Sequence, residues 1–564
     1  MSKKLSYASG TSDKPLLGST IGQVFDDISN KFSEREAVVS VHQNIRFTYA
    51  ELAIKVNELA KAFISSGLKK GDRVGIWSSN NAEWVLTQYA AAKAGIILVT
   101  INPAYRSHEL DYVLGQSGCK GLVFQNQFKT SDYESMICEI VPEVKDSMPG
   151  KIQSNKFNNL TTIISMTASE IKGIYDWEDF IAIEKNIDDK ELQDRQDNQD
   201  IDDAINIQYT SGTTGFPKGA TLSHHNILNN GYFTGATMHF TEQDRLVVPV
   251  PLYHCFGMVL ANLACLTHGA CAIYPSEGFE PDAALKAVED EQATALYGVP
   301  TMFIAELALP NFNEYNLKTL RTGLMAGSPC PIETMKKVVE LMHMSDVEIA
   351  YGMTETSPVS FQTKIDSPME KRVSTVGSVH PHVQVKIIDS ESGKTCPIGE
   401  TGELCTRGYS VMLGYWENPE GTAAAIDSNG WMHTGDSAVM DDEGYVNIVG
   451  RIKDMIVRGG ENVYPVELED YLMVHENIEA VQVTGVPDPK YGEEIIAWIS
   501  LKEGKDMSEE DIKEFCKDKI AHYKVPRYIR FGDDFPMTVT GKVQKYKMRE
   551  ISIKELGLEE QETA

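Results

Sequence analysis

Tyr209-Thr-Ser-Gly-Thr-Thr-Gly-Phe-Pro-Lys-Gly219 is a run of hydroxyl residues and glycines that closes with a lysine and a glycine. It follows the apolar segment 204–209, which predicts a short strand. Glycines let a backbone turn tightly and bring its N–H groups close to a ligand, and a lysine adds a charge that suits phosphate. We interpret the run as a loop around a polyphosphate. The alternative is a flexible surface loop rich in Gly and Thr.

The run differs from the Walker A loop of P-loop NTPases. That loop needs Gly-Lys followed by Ser or Thr, whereas Pro217 precedes Lys218 here and Gly219 follows it. Three further motifs lie downstream, and they are Tyr351-Gly-Met-Thr-Glu355, Trp431-Met-His-Thr-Gly-Asp436 with Gly450-Arg451, and Thr540-Gly541-Lys542. Tyr351 suits stacking on a flat base, Thr354 suits phosphate, and Glu355 is a hard oxygen ligand for Mg²⁺.

The bulk composition is that of an ordinary globular protein, with 42% hydrophobic and 24% charged residues among 564. The 52 Lys and Arg against 81 Asp and Glu give a net charge of −29. This acidic balance argues against a nucleic-acid partner, because nucleic-acid recognition needs a basic face. A bound polyphosphate must therefore be met by local cations and Mg²⁺.

The 9 cysteines are scattered and show no Cys-x-x-Cys spacing, which argues against a zinc site and against a disulfide framework. The longest apolar stretches, 96–101 and 257–266, are too short to span a bilayer, so no transmembrane segment is expected. Residues 1–15 lack the apolar core of a signal peptide and the arginines of a transit peptide. The sequence therefore predicts a cytoplasmic protein.

Strands and helices alternate in the first part of the chain. Thr48-x-x-Glu51 is a capping box that predicts a helix up to Gly67, and it is followed by a predicted strand at 74–77, a helix at 81–94 and a strand at 96–101. This alternation predicts parallel sheets covered by helices. The segment 188–203, dense in Asp, Asn and Gln, is expected to be a solvated linker.

Beyond Val383 the pattern changes. Alternating segments at 385–388, 403–407 and 445–449 lie between glycines and predict antiparallel strands in a small barrel or sheet. A compact α+β unit is predicted after Arg451, with helices at 466–472 and 509–519. The overall fold class is therefore α/β, with a small β-barrel-like subdomain and a small α+β C-terminal domain.

The four motifs, in this order and spacing, resemble those of the adenylate-forming superfamily, which contains acyl-CoA synthetases, amino-acid adenylation domains and luciferases. The resemblance extends from about Thr20 to Arg549 and is greatest to medium-chain fatty acyl-CoA synthetases. It implies an AMP-binding adenylation domain at 1–450 and a mobile C-terminal domain at 451–564. The residues that it assigns to ATP are Thr210, Ser211, Gly212, Thr213, Thr214, Gly215, Phe216, Pro217, Lys218, Tyr351, Thr354, Asp436, Arg451 and Lys542.

The resemblance also implies individual roles. Asp436 and Arg451 would bind the ribose, and Lys453 would be the hinge of the C-terminal domain. Lys542 would be catalytic, because it neutralises charge that develops between the acyl carboxylate and the α-phosphate. Glu355 would be the second catalytic residue and the Mg²⁺ ligand. The nucleotide of coenzyme A would meet basic residues among Arg458, Lys524 and Arg527.

The residues around these motifs indicate which carboxylic acid is activated and which molecule accepts the acyl group. Amino-acid-activating members hold the substrate ammonium with a carboxylate, and the corresponding stretch 251–257 contains none. Its neighbours are apolar, namely Met258, Val259, Leu260, Val299, Met302 and Phe303. His254 is either a contact of the acyl site or a structural histidine.

No carrier-protein domain follows Lys542, which favours coenzyme A as the acceptor. The prediction is an ATP-dependent, AMP-forming fatty acyl-CoA ligase of medium-chain type, with Mg²⁺, ATP and coenzyme A. The alternatives are adenylation of another carboxylic acid and a catalytically inactive acyl or nucleotide sensor.

Overall fold

Strands and helices alternate along most of the chain in the computed structural model, which describes residues 4–210, 217–328, 330–459, 461–517, 519–538 and 543–558. The strands are β1 (Tyr7–Ser9), β2 (Glu36–Ser40), β3 (Ile45–Thr48), β4 (Arg73–Trp77), β5 (Ile97–Ile101), β6 (Gly121–Phe124), β7 (Gln127–Phe128), β8 (Ser131–Asp132), β9 (Thr162–Ser165), β10 (Ile174–Asp176), β11 (Ala204–Thr210), β12 (Lys218–Ser223), β13 (Arg245–Val247), β14 (Cys271–Tyr274), β15 (Ala295–Gly298), β16 (Thr322–Ala326), β17 (Asp346–Gly352), β18 (Val359–Gln362), β19 (Ser378–Val379), β20 (Val383–Ile388), β21 (Gly402–Gly408), β22 (Gly414–Tyr415), β23 (Met432–Met440), β24 (Val446–Arg451), β25 (Ile456–Arg458), β26 (Glu461–Val463), β27 (Ile478–Asp488), β28 (Gly492–Leu501) and β29 (Tyr528–Phe531).

The helices connect and cover these strands. They are α1 (Ile21–Lys31), α2 (Tyr49–Ser65), α3 (Ala82–Ala94), α4 (Ser107–Ser117), α5 (Tyr133–Ile140), α6 (Trp177–Ala182), α7 (Asp189–Asp197), α8 (His224–Thr237), α9 (Ala264–His268), α10 (Pro281–Asp290), α11 (Pro300–Leu307), α12 (Ile332–Leu341), α13 (Met369–Ser374), α14 (Pro419–Ala425), α15 (Pro465–Met473), α16 (Glu509–Cys516) and α17 (Lys545–Leu556). A π-helix, Phe256–Leu263, leads into α9. None of the described helices is long and apolar enough to cross a lipid bilayer.

The chain divides into two compact units. The larger unit is Ser9–Gln384 with Thr406–Met432, and the smaller unit is Met1–Ala8, Val385–Cys405 and His433–Ala564, as far as these ranges are described. The functional division after residue 450, which the motifs imply, stays a prediction.

An eight-stranded sheet in the larger unit carries the phosphate-loop motif. Its order is β10-β9-β6-β4-β5-β11-β12-β22. The strands from β10 to β11 are parallel, and β12 and β22 add antiparallel pairs at one edge. Helix α2 begins at the predicted capping box, in which Thr48 accepts from the Glu51 amide at 3.2 Å. Buried Leu52, Val56 and Phe63 form its core-facing stripe.

A nine-stranded sheet in the same unit carries the motif around Glu355. Its order is β19-β18-β17-β16-β15-β13-β14-β2-β3, with parallel pairing from β17 to β2. The strands are short and buried, as expected for a sheet covered on both faces. The predicted fold class, α/β with parallel sheets layered with helices, is confirmed.

The predicted linker at 188–203 is wrong for its first half, which forms helix α7. Asp188 caps this helix by accepting from the Glu191 amide at 2.8 Å, and Leu192 is buried. The polar composition of the segment concealed the helix, because a cap and a single buried leucine are enough to fix a short helix within a larger core.

The segments after Val383 form two further sheets. One has the order β1-β20-β21-β23-β24, with β23 and β24 antiparallel, and it corresponds to the predicted barrel-like subdomain. The other has the order β26-β25-β28-β27, with β29 parallel to β28. Helices α15 and α16 contribute Leu468, Leu472 and Ile512 to its core, which agrees with the α+β unit expected after Arg451.

Candidate active site

The phosphate-loop motif lies in a β-hairpin. Thr210 ends β11 and Lys218 begins β12, and the two residues are paired across the antiparallel strands. Gly219, paired with Tyr209, has no room for a side chain, since a Cβ atom there would lie 2.8 Å from Ile207 Cγ2. The hairpin therefore presents Thr210 and Lys218 side by side at the base of the loop.

The loop itself is only partly described. Ser211, Gly212, Thr213, Thr214, Gly215 and Phe216 lie outside the described residues, so their assignment to phosphate binding stays a prediction. Pro217 is described, and its carbonyl accepts a hydrogen bond from the Tyr112 hydroxyl at 3.1 Å. This bond anchors one end of the loop to helix α4.

Glu355 lies in a short 3₁₀ turn, Thr354–Thr356, just after β17. It is 5% exposed, and its Oε1 accepts hydrogen bonds from the Tyr415 hydroxyl at 2.8 Å and the Thr210 hydroxyl at 3.3 Å. Its carbonyl accepts from the Met412 amide at 2.9 Å. The predicted metal ligand is therefore fixed beside the first hydroxyl of the phosphate loop.

Tyr415 is a residue of this site that the sequence did not reveal. Burial, followed by the charge of Glu355, raises the pKa of its hydroxyl far above the usual value, so it remains a hydrogen-bond donor. The Lys218 ammonium lies 5.1 Å from the centre of its ring, within cation–π range. No spacing rule links residue 415 to residue 355, because the contact depends on strand β22 pairing with β12.

Tyr351 and Thr354 flank the same turn. Tyr351 is half-buried and packs edge-on against Phe361 with 6.0 Å between the ring centres, and Thr354 is buried. Gly352 follows Tyr351, and a Cβ atom there would lie 1.7 Å from the Pro358 carbonyl oxygen. The close approach of β17 to β18 therefore requires a glycine next to the tyrosine predicted to stack on the base.

The predicted ribose-binding pair lies in the smaller unit. Asp436 on β23 and Arg451 on β24 are paired across adjacent antiparallel strands, and Arg451 Nε lies 3.4 Å from Asp436 Oδ1. The carboxylate is nearly buried and the guanidinium is half-exposed, with 12% and 55% of their side chains accessible. The strand register thus brings together two residues that are 15 positions apart.

The remaining predicted residues of the smaller unit are only partly described. Lys453 is exposed in a 3₁₀ turn, Ile452–Asp454, immediately after β24. Gly460, Gly541 and the predicted catalytic residue Lys542 lie outside the described residues. The roles of Lys453 as a hinge and of Lys542 as a catalyst stay predictions.

The three basic residues assigned to coenzyme A are each paired with a carboxylate. Arg458 donates to Glu494 at 2.9 Å, Arg527 donates to Asp488 at 2.8 Å, and Lys524 contacts Glu467. The Arg458 guanidinium also donates to the Tyr523 carbonyl at 2.8 Å. A phosphate that bound here would have to compete with these carboxylates.

The apolar segment after Pro251 contacts the strand that leads into the phosphate loop. Cys255 donates to the Gln208 side chain at 2.9 Å, and Gln208 donates to the Met258 sulfur at 3.0 Å. Gln208 precedes Thr210 by two positions on β11, so both side chains point to the same face. The predicted acyl-site residues are all buried, and they are Met258, Val259, Leu260, Val299, Met302 and Phe303.

A carboxyl group lies one helical turn from this apolar set. Glu306 on α11 follows Met302 by four positions and is 1% exposed, with no hydrogen-bond partner for either oxygen among the described residues. Burial raises the pKa of Glu306 well above its usual value, which favours the uncharged acid. His254 is half-buried, and its Nδ1 accepts from the Phe256 amide at 3.2 Å.

Two family models match the chain. The model for AMP-binding enzymes matches residues 25–416, and the model for the C-terminal domain of AMP-binding enzymes matches residues 467–542. The first match alone covers more than half of the chain, which establishes the family.

Curated relatives are similar over nearly the full length. The Bacillus subtilis protein named "Putative acyl-CoA synthetase YngI" is 48% identical over 96% of this chain and 99% of its own. The human medium-chain acyl-CoA ligase ACSF2, a mitochondrial protein, is 45% identical over 98% of this chain and 91% of its own. The predicted enzyme class, an AMP-forming acid–thiol ligase, is confirmed.

Solved structures of enzymes share the fold. The ATP-bound MatB of Rhodopseudomonas palustris is 28% identical with a TM-score of 0.79, and the alignment covers 95% of this chain and 99% of that one. The anthranilate CoA ligase AuaEII with bound anthranoyl-AMP is 25% identical with a TM-score of 0.83, covering 97% and 99%. The chain therefore belongs to the AMP-binding enzyme family, within the adenylate-forming superfamily that its motifs resemble.

Proposed function

We propose that this enzyme is an ATP-dependent fatty acyl-CoA ligase with a preference for medium-length acids. The observation that carries the proposal is the similarity to the human medium-chain acyl-CoA ligase over 98% of this chain. The fatty acid would attack the α-phosphorus of ATP to give acyl-AMP and pyrophosphate, and the thiol of coenzyme A would then displace AMP.

Glu355 and its neighbours are proposed to bind the phosphates with Mg²⁺. A buried carboxylate is the type of ligand that Mg²⁺ prefers, and Mg²⁺ usually joins one or two carboxylates to substrate phosphates. The hydrogen bonds from Tyr415 and Thr210 both engage Oε1, while Oε2 takes part in neither. Thr210 and Lys218 at the base of the loop support the same assignment for residues 210–218.

The nucleoside is assigned to two further groups of residues. Tyr351 would stack on the base, with Thr354 binding phosphate, and Asp436 with Arg451 would bind the ribose hydroxyls. A carboxylate can accept two hydrogen bonds from neighbouring hydroxyls, and charge-assisted hydrogen bonds are stronger than neutral ones. Lys542 is proposed as the electrophilic group of the adenylation step.

The acyl tail is assigned to the apolar segment around Met258 and Met302. These residues carry no charge, and burial of Glu306, one helical turn after Met302, favours its uncharged form. Each additional methylene buried there contributes up to about 0.8 kcal/mol. The specificity constant should therefore rise by about fourfold per methylene until the site is full.

The test is a series of straight-chain acids from acetate to long-chain acids, with anthranilate and an amino acid as controls. Pyrophosphate, AMP and acyl-CoA are measured with and without coenzyme A. We expect an optimum at medium length and AMP as the nucleotide product. A preference for acetate, anthranilate or an amino acid would support activation of another acid, and no turnover with any acid would support the inactive sensor.

The cellular location stays a prediction. The sequence predicts the cytoplasm, but the curated relatives include both a bacterial protein and mitochondrial proteins. Fractionation of the native cells, with the enzyme detected by its acyl-CoA ligase activity, tests it.

A further inference from the structure

Three metal-ligating side chains meet in the smaller unit, between β21 and the start of β23, the strand that carries Asp436. Glu403 and Cys405 are two positions apart on β21, so they point to the same face of that strand. His433 is on β23, the neighbour of β21 in the sheet. Atoms of all three that can bind a metal lie within 4.8 Å of one another.

The distances suit a small tetrahedral ion. Zinc binds sulfur at about 2.3 Å and imidazole nitrogen or carboxylate oxygen at about 2.0–2.2 Å, so tetrahedral ligand atoms lie roughly 3.3–3.6 Å apart. Cys405 Sγ is 3.7 Å from His433 Nδ1, and Glu403 Oε2 is 2.9 Å from the same nitrogen. An opening of a few tenths of an ångström would bring the carboxylate and the ring to the tetrahedral spacing, and the third pair, the thiol and the carboxylate, lies within 4.8 Å.

The carboxylate is already held in place by the backbone. Glu403 Oε1 accepts a hydrogen bond from the Gly435 amide at 3.2 Å, which leaves Oε2 directed at His433. Hydrogen bonds of this kind to a metal ligand fix its orientation and raise the affinity of the site for the metal. Cys405 is fully buried, whereas 32% of the His433 side chain is accessible, which gives an ion a path from solvent.

We propose that Glu403 Oε2, Cys405 Sγ and His433 Nδ1 form a site for a thiophilic divalent ion such as Zn²⁺, with solvent as the fourth ligand. Binding would release the thiol proton, and the imidazole would bind through Nδ1 with its own proton on Nε2. The thiolate and imidazole select Zn²⁺, Co²⁺ or Cd²⁺ over Mg²⁺. The site is therefore distinct in chemistry from the Mg²⁺ assigned to Glu355.

The ion would also alter the part of β23 that carries Asp436. Glu403 holds the Gly435 amide, and the Asp436 amide donates to the Thr434 hydroxyl at 3.1 Å. If the ion displaces Glu403 or His433, residues 433–436 would shift with it, and Asp436 would move. This consequence rests on the proposed role of Asp436 in binding the ribose, and we expect Zn²⁺ to raise the KM for ATP several-fold while the KM for the fatty acid stays constant.

The sequence argued against such a site, because the ligands are not arranged in a Cys-x-x-Cys or His-rich pattern. One strand supplies two of them and its neighbour supplies the third, 28 positions after Cys405. Strand order within the sheet, which creates the cluster, is not readable from spacing.

The test is a Co²⁺ titration of the full-length enzyme after treatment with a chelator. We expect one equivalent to produce a near-ultraviolet thiolate-to-cobalt band that Zn²⁺ abolishes. Cys405→Ala should lose the band, and Cys396→Ala, a matched buried cysteine of the same unit, should keep it. Glu403→Gln, which can still accept from Gly435, should weaken Co²⁺ binding by tenfold or more.

Thermal unfolding with and without Zn²⁺ shows that each variant is folded, and bound Zn²⁺ should raise the Tm of wild type and Cys396→Ala only. The absence of a charge-transfer band, or a band unchanged in Cys405→Ala, would overturn the site. A KM for ATP that does not respond to Zn²⁺ in an enzyme with the band would overturn the coupling to Asp436. Because the spectrum does not depend on turnover, failure of the proposed function would not imitate loss of the band, and the KM for ATP is compared only with an acid that the enzyme turns over.

Discussion

At the scale of single residues, the site in the larger unit depends on a carboxylate held in place by two hydroxyls. Glu355 lies in the turn after β17, whereas Thr210 belongs to β11 and Tyr415 to β22. Two separate strands thus hold one side chain, and the carboxylate would not need to reorganise if it binds Mg²⁺ and phosphate as proposed. Charged groups that are oriented before the substrate binds usually contribute more to catalysis than any other single effect.

Glu355→Gln tests this assignment. The amide keeps the shape of the side chain and can still accept from Tyr415, but it loses the charge that a metal ion requires. We expect the rate of pyrophosphate release to fall by about 10²–10³-fold, with the remaining activity needing more Mg²⁺. The measurement is pyrophosphate release across a Mg²⁺ series.

Tyr415→Phe is the matched control, because it removes the 2.8 Å hydrogen bond and leaves the carboxylate. Loss of one such hydrogen bond costs about 1–3 kcal/mol, which would lower the rate of pyrophosphate release by roughly 5–150-fold. If Glu355→Gln kept the normal rate and Mg²⁺ dependence, other residues would have to bind the ion.

At the scale of elements, the motif around Glu355 depends on how closely β17 approaches β18. Gly352→Ala would place a Cβ atom 1.7 Å from the Pro358 carbonyl oxygen, which is backbone and cannot rotate away. We expect the free energy of unfolding to fall by about 1–3 kcal/mol, the usual cost of overpacking. We also expect a lower rate of adenylation. Chemical denaturation and pyrophosphate release measure the two effects.

Gly278→Ala serves as the comparison, since no atom of the described residues other than the adjoining ones lies within 4 Å of the Cβ position there. It should leave both stability and rate unchanged. Equal behaviour of the two variants would mean that β17 and β18 are free to separate, and the glycine would then have no role in positioning Tyr351.

The same pair of strands contains a buried acid. Glu348 on β17 accepts from the Gln362 amide on β18 at 2.6 Å, and burial raises the pKa of Glu348 to about 8. The charged groups that act on it are Arg372, Asp346 and Arg321. The carboxyl is therefore protonated in the folded enzyme at neutral pH and ionised in the unfolded chain.

The sign of the pH dependence follows from this difference. Between the ordinary value of 4.5 and about 8, the folded state holds a proton that the unfolded state has lost, so stability falls as pH rises. The free energy of unfolding falls by at most about 1.4 kcal/mol per pH unit. This fall ends above the pKa that Glu348 has in the folded enzyme. Glu348→Gln should remove it.

Urea unfolding at several values between pH 5 and pH 8 measures the effect, and Glu391→Gln, an exposed glutamate, is the control. The stability of Glu348→Gln relative to wild type should increase towards pH 8. A constant difference across this range would show that the Glu348 carboxyl ionises alike in the folded and unfolded chain.

At the scale of the whole molecule, the sequence predicted the fold class and the order of the chemical motifs. Local signals were sufficient where one or two residues fix a boundary, as Thr48 and Glu51 do for the start of α2 and Gly95 does for the end of α3. The division of the parallel strands into separate sheets of eight and nine was not predicted, because strand order depends on pairing between distant segments. Tyr415 and the cluster of Glu403, Cys405 and His433 were missed for the same reason.

The last prediction concerns the two half-reactions. Lys542, which lies outside the described residues, belongs to the segment matched by the C-terminal family model and is assigned to adenylation alone. An electrophilic lysine stabilises charge that develops at the α-phosphate, and this charge is absent when a thiol attacks acyl-AMP. Lys542→Ala should therefore reduce acyl-AMP formation by about 10²-fold or more and leave thioester formation largely intact.

Two assays separate these steps, and both use the full-length enzyme. In one, the enzyme receives ATP and fatty acid and pyrophosphate is measured; in the other, it receives acyl-AMP and coenzyme A and the thioester is measured. Lys545→Ala is a suitable control, because this lysine begins α17 and contacts the nearly buried Glu469, so its loss reports on the fold of the same unit. Equal damage to both half-reactions by Lys542→Ala would mean that the lysine has a structural or shared role, and adenylation would then need another electrophile.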